Sequence, residues 1–142
     1  MPLKTFFATP QDAENAFYEA LEAGDLDAMM AVWSEDDEIV CIHPGGPRLS
    51  GYAMIRESWR RIFESGRKLR ITVNPLSAVV NPFTAIHSLI EQIGVRGESA
   101  THAPVATTNV YVRGPTGWRM VVHHGSASPP ESPANEAPKT LH

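Results

Sequence analysis

The stretch Asn109–Ser126 constrains the fold more than any other part of the chain. It reads Asn-Val-Tyr-Val-Arg-Gly-Pro-Thr-Gly-Trp-Arg-Met-Val-Val-His-His-Gly-Ser. β-Branched and aromatic residues flank Gly114-Pro-Thr-Gly117, which predicts two strands joined by a short hairpin loop. Polar, titratable side chains are interleaved with the apolar ones, so the hairpin points to a pocket. Adjacent strand residues face opposite sides of a sheet, so His123 and His124 cannot both line one cavity. Trp118, Met120, Val122 and His124 share a face, and Arg119 lies on the other. The His124 face is therefore expected to point inward, with Ser126 two positions further along it.

The upstream sequence supplies helices. Thr9 is a good N-cap and Pro10 suits a first helical position, so a helix is predicted from Pro10 to Ala23. Ala13, Ala16, Phe17, Ala20 and Leu21 form its apolar face, and Gly24 ends it. Asp25 caps a short second helix through Trp33. Glu38–His43 reads as a strand with Ile39, Cys41 and His43 on one face, stopped by Pro44-Gly-Gly-Pro47. A third helix over Tyr52–Glu64 buries Ile55, Trp59, Ile62 and Phe63. Further strands are predicted near Leu69–Val80, Phe83–Gly94, Pro104–Arg113 and Trp118–Ser126. Pro75 implies a bulge or an edge position in the first of these.

A chain of 142 residues suits one domain, here residues 1–128, and 42% hydrophobic residues suit a soluble one. Residues 129–142 are rich in Pro, Ser and Glu and are expected to form a flexible tail. The formal net charge of -4 carries no footprint for nucleic acid or an anionic membrane. No run approaches the roughly 20 apolar residues of a membrane span, and the N-terminal apolar run is too short for a leader. A cytoplasmic protein is expected. Cys41 is the only cysteine, so no internal disulfide can form.

The segment Ala20-Leu-Glu-Ala-Gly-Asp-Leu-Asp27, the strand Asp37–His43, Gly51 at the start of the third helix and the run Gly117–Ser126 occur in an order that resembles the SnoaL-like branch of the nuclear transport factor 2-like superfamily. The resemblance spans roughly residues 8–128. It implies an α+β fold, a cone-shaped barrel with three N-terminal helices packed on a curved, mostly antiparallel sheet. It also implies a pocket inside the cone and homodimerisation through the sheet. Relatives of that kind include isomerases, dehydratases, cyclases, hydrolases and a non-catalytic association domain, and they share no catalytic set. No catalytic residue carries over from them, and fold alone does not assign function.

Candidate residues therefore come from the chain itself. His124 and His43 are the candidates for general acid–base catalysis, because histidine titrates near neutrality. The competing reading of each is structural: a core-edge histidine bonded to backbone, or one that stabilises a turn. Trp33, Tyr52, Trp59, His87, Asn109, Tyr111 and Ser126 are candidates to contact a small apolar or aromatic ligand, with core packing the competing role for Trp33. Cys41 and His43 lie two residue rises apart, about 7 Å, too far for a direct hydrogen bond, so Cys41 reads as buried and structural. Asp36, Asp37 and Glu91 read as solvated charges unless burial raises their pKa values. No His-Glu-x-x-His motif or cysteine pair suggests a metal, and no cofactor is expected. The basic run Arg56, Arg60, Arg61, Arg67, Lys68 and Arg70 is interleaved with Glu57 and Glu64 and reads as a salt-bridged helix face. Two functions follow: a small-molecule enzyme without an organic cofactor, or a non-catalytic ligand-binding or homodimerisation module.

Overall fold

The computed structural model describes residues 5–99 and 103–128, so the expected tail lies outside the described residues. Helix α1 (Pro10–Ala23) starts where its signals predict: Thr9 accepts a hydrogen bond from the Asp12 amide, and Gly24 ends the helix in the left-handed conformation. Asp25 caps α2 (Leu26–Val32) through the Ala28 amide. Helix α3 (Tyr52–Glu64) buries Ile55 and Trp59. Its opposite side carries the expected ion pairs, Glu57 with Arg60 and Arg61, and Glu64 with Arg60.

Six strands complete the fold: β1 (Val40–Ile42), β2 (Arg48–Ser50), β3 (Leu69–Val80), β4 (Thr84–Val95), β5 (Val105–Gly114) and β6 (Gly117–Ala127). The sequence reading missed β2. Pro44-Gly-Gly-Pro47 turns the chain instead of ending the sheet, and Val40, Cys41 and Ile42 pair antiparallel with Ser50, Leu49 and Arg48. Gly45, at φ 75°, takes the left-handed conformation this turn requires.

The sheet order is β2-β1-β6-β5-β4-β3. Only β1 and β6 run parallel; the other neighbours are antiparallel. β2 and β3 are free edges, so the sheet is unclosed and the expected barrel is an open one. α1 lies across β3, β5 and β6. Phe17, Met29, Val32, Trp33, Ile39, Ile55, Leu89 and Met120 fill the space between helices and sheet.

Two bulges shape the strands. One falls between Pro75 and Ser77 on the edge strand, as Pro75 predicts. The other sets Tyr111 opposite Met120 but Val110 opposite Val122, leaving Val121 unpaired. That extra residue breaks the alternation on which the inward His124 face rested. Met120 and His123 are buried, whereas His124 and Ser126 are exposed on the outer face. The residue expected to mark the solvent side, Arg119, is also buried. Its guanidinium donates to the carbonyls of Ala31, Thr5 and Thr116 and lies over the Phe7 ring.

Candidate functional site

Register brings the polar residues together. One row of cross-strand partners runs Ala78, His87, Asn109, His123, Cys41 and Leu49 through all six strands. Alternation then sets Tyr111 and Thr107 beside Asn109 on β5, and Leu89 and Glu91 beyond His87 on β4. α1 lays Glu14 and Tyr18 over this row, one helical turn apart. Glu14, Tyr18, His87, Glu91, Thr107, Asn109, Tyr111 and His123 are all buried.

Their hydrogen bonds form one connected network. Glu14 Oε2 accepts from the Tyr111 hydroxyl at 2.8 Å and from Asn109 Nδ2 at 3.2 Å. His87 Nδ1 lies 3.1 Å from the same oxygen. A carboxylate oxygen accepts, so His87 Nδ1 is the donor in this contact. Asn109 Nδ2 also donates to Tyr18 Oη at 3.1 Å, and Tyr18 donates to Glu91 Oε2 at 2.6 Å. On the other side, His123 Nδ1 lies 2.6 Å from Asn109 Oδ1.

Burial dominates the proton affinities. It raises the Glu91 carboxyl above the usual range, against the hydrogen bonds of Tyr18 and Thr107, and Glu14 adds to the rise. Glu91 is thus corrected from a solvated charge to a buried one; Asp36 and Asp37 are exposed as expected. Burial and the charge of Glu91 hold the Tyr18 hydroxyl far above its ordinary value, and burial and Glu14 do the same for Tyr111. Both phenols therefore remain donors. Burial pushes His123 down to about 3, with His43 and His124 adding to the effect, so His123 is neutral.

Two clefts reach this network from solvent. One, of about 190 Å³, is lined by Gln11 and Glu14 of α1, Pro75–Ala78 of β3 and His87–Leu89 of β4. The other, of about 330 Å³, runs along α1 past Glu14, Tyr18, Glu19 and Glu22 to Ile71, Val73 and Pro75. Glu14 lines both, and the β3 bulge forms part of the wall.

The remaining candidates sit elsewhere. His43 is half-buried, its ring edge-on to Trp59 at 4.7 Å. Ser58 donates its hydroxyl to the Ile55 carbonyl at 2.8 Å, so the 3.0 Å contact between Ser58 Oγ and His43 Nε2 is donated by the imidazole. Cys41 Sγ lies 3.7 Å from His43 Nε2, closer than the two-residue rise implied, because side chains lean along a strand. Burial pushes the Cys41 thiol up to about 12, as suits a structural cysteine. Trp33 and Trp59 are buried in the core. Tyr52 is half-buried, and Glu35, Arg56 and Asp27 are its charged neighbours, not the network. Among the described residues, no group of three or more His, Cys, Asp or Glu could hold a metal ion.

The sequence reading named His87, Asn109 and Tyr111, placed His124 rather than His123 on the inner face, and missed Glu14 and Tyr18. Glu14, Tyr18 and Leu21 fall at i, i+4 and i+7, a spacing that would have placed them on one buried stripe.

The SnoaL-like domain model matches residues 11–130. The chain belongs to this family. Among solved structures, a candidate calcium/calmodulin-dependent protein kinase type II association domain from Thiobacillus denitrificans is 40% identical, with a TM-score of 0.82 over 87% of this SnoaL-like chain and 98% of the other. A candidate dehydratase of the nuclear transport factor 2-like family from Streptomyces avermitilis is 30% identical, with a TM-score of 0.74 over 82% and 91% of the two chains. The F-box protein SKIP8 of Arabidopsis thaliana is 26% identical over 126 residues, 87% of this chain and 52% of that protein. The chain thus spans about half the length of this curated relative.

Proposed function

We propose that this SnoaL-like protein is a cofactor-free acid–base catalyst for a small apolar or aromatic molecule, with His87 as the base and Glu14 as the carboxylate that orients it. One observation carries the reading: Glu14 Oε2 lies 3.1 Å from His87 Nδ1, and both residues line the cleft of about 190 Å³. A carboxylate at Nδ1 aims the Nε2 lone pair away from itself, where a substrate proton can reach it. Isomerisation, dehydration, cyclisation and hydrolysis all turn on such a transfer, and a candidate dehydratase stands among the relatives. The chemistry belongs at His87 rather than at His124, which is exposed on the outer face, or at His43, whose Nε2 is engaged by Ser58. A cytoplasmic setting goes with this reading.

The test uses a panel of small flat ketones and β-hydroxy ketones in D₂O. Mass spectrometry reads deuterium uptake or loss of water, and the melting temperature is followed in parallel. At least one compound is expected to raise the melting temperature and react. His87→Gln should then lose at least about a hundredfold in rate, the usual contribution of a positioned base. The reading fails if no compound binds, or if the variant reacts at the native rate.

One observation favours the second reading, a homodimerisation module. The row Val79, Ile86, Val110, Val122 and Val40 crosses five strands on the outer face, and Val79 and Ile86 are 63% and 41% exposed. Self-association through that face is compatible with a working pocket on the other.

A further inference from the structure

We propose that His123 is a positioning residue for the Glu14–His87 pair, acting through the side-chain amide of Asn109. This rests on the reading of His87 as the base. Asn109 is fully buried and meets the network at both ends of its amide. Its nitrogen faces two oxygens, Glu14 Oε2 at 3.2 Å and Tyr18 Oη at 3.1 Å. Tyr18 spends its own proton on Glu91 at 2.6 Å, so its oxygen can only accept from Asn109. A flipped Asn109 would set its carbonyl against the Glu14 carboxylate and leave Tyr18 without a donor.

The proton on His123 Nδ1 blocks that flip. At 2.6 Å from Asn109 Oδ1 the ring nitrogen must donate, since two lone pairs cannot approach so closely. The network is therefore directional: His123 to Asn109, then Asn109 to both Glu14 and Tyr18, then Tyr18 to Glu91. Each step fixes the next, and Glu14 receives a donor that holds its carboxyl group in place beside His87. The His123 ring is itself clamped, 4.8 Å from Phe17 and 6.1 Å from Trp59. Among the described residues, the titratable groups facing this path are Glu14 and Tyr18 from α1, His87 and Glu91 from β4, Tyr111 from β5, and Cys41 and His43 from β1 and its end. His124 faces the opposite way.

The first test needs no variant. Nitrogen-15 spectra of the intact protein should show His123 neutral with its proton on Nδ1; a proton on Nε2 overturns the proposal. The second test compares two substitutions. His123→Asn keeps an N–H near the Nδ1 position but loses the ring, whereas His123→Phe keeps the ring but loses the donor. The readout is the rate at which diethyl pyrocarbonate modifies His87, resolved by peptide mass spectrometry. His123→Phe should slow it about tenfold, the scale of one lost hydrogen bond. His123→Asn should stay near the native rate. A packing role predicts the reverse order, and that order overturns the proposal. If His123→Phe does not fold, the tautomer and the Asn variant still decide. Failure of the ketone panel would sink the catalytic reading while leaving this geometry standing, so the two outcomes are separable.

Discussion

Glu91 shows what the interior does to a single side chain. A carboxyl raised above the usual range binds its proton more tightly in the folded state than in the unfolded chain. Its contribution to stability is therefore complete below the ordinary carboxylate pKa of about 4.3 and is lost as pH rises through the higher folded value. Glu91→Gln should remove that loss, because the amide oxygen still accepts from Tyr18. Urea unfolding between pH 4 and 8 is expected to show the variant more stable at pH 7, on the order of 1 kcal/mol, with a flatter pH dependence. A variant less stable at pH 7 with the native slope would mean that the carboxylate is held favourably as an anion. Glu14 and Tyr18 were hidden for a related reason. A charge on a helix is solvated by default, and nothing in the local sequence announces that a strand nearly a hundred residues away supplies its donors: Tyr111 to Glu14 and Asn109 to both.

At the level of elements, the caps, the helix spans and the four long strands were legible because each rests on local chemistry: Thr9, Asp25, Pro75 and the Gly24 stop. The facing of β6 was not. Alternation is a reliable guide along a regular strand, but a single unpaired residue, Val121, reverses every inference beyond it. The bulge has no turn residue to reveal it, since Val121 lies in an apolar run. β2 escaped notice because three residues after a Gly-Pro turn carry too little pattern. The hairpin itself offers a sharper test. Gly117 has φ 94°, and a Cβ there would lie 2.5 Å from the Phe7 carbonyl oxygen; at Gly114, across the same turn, no atom lies within 4 Å. The Phe7 carbonyl also accepts from the Trp118 amide, so the N-terminal segment is tied to β6 by backbone and cannot easily retreat. Thermal unfolding should find Gly117→Ala destabilised by about 2–4 kcal/mol and Gly114→Ala within about 0.5 kcal/mol of native. Equal effects at the two positions would contradict this packing.

For the whole molecule, the two faces of the sheet have opposite characters. The inner face holds the buried network under α1. The outer face of β4, β5 and β6 presents Ile86, Ser88, Ile90 and Gln92, then Ala106, Thr108, Val110 and Val112, then Val122, His124 and Ser126; its one formal charge, Arg119 opposite Val112, is buried against backbone carbonyls rather than exposed on the patch. A chain with a net charge of -4 keeps its formal charges off a broad patch whose apolar residues align strand by strand. An uncharged apolar strip of this kind is what a self-complementary interface needs, and a stable one covers about 800 Å² on each partner. Val110 lies near the middle of the strip, between Ile86 and Val122. Sedimentation at micromolar concentration should give a dimer for the native chain and a single-chain species for Val110→Glu, because a buried carboxylate would face its own copy across the two-fold axis. The circular dichroism of the variant should match the native protein, as its side chain points away from the core. Arg61→Glu on the far side of α3 should leave the dimer intact. A native chain that sediments as a monomer would remove the homodimerisation reading, and the acid–base pocket would then stand on the inner face alone.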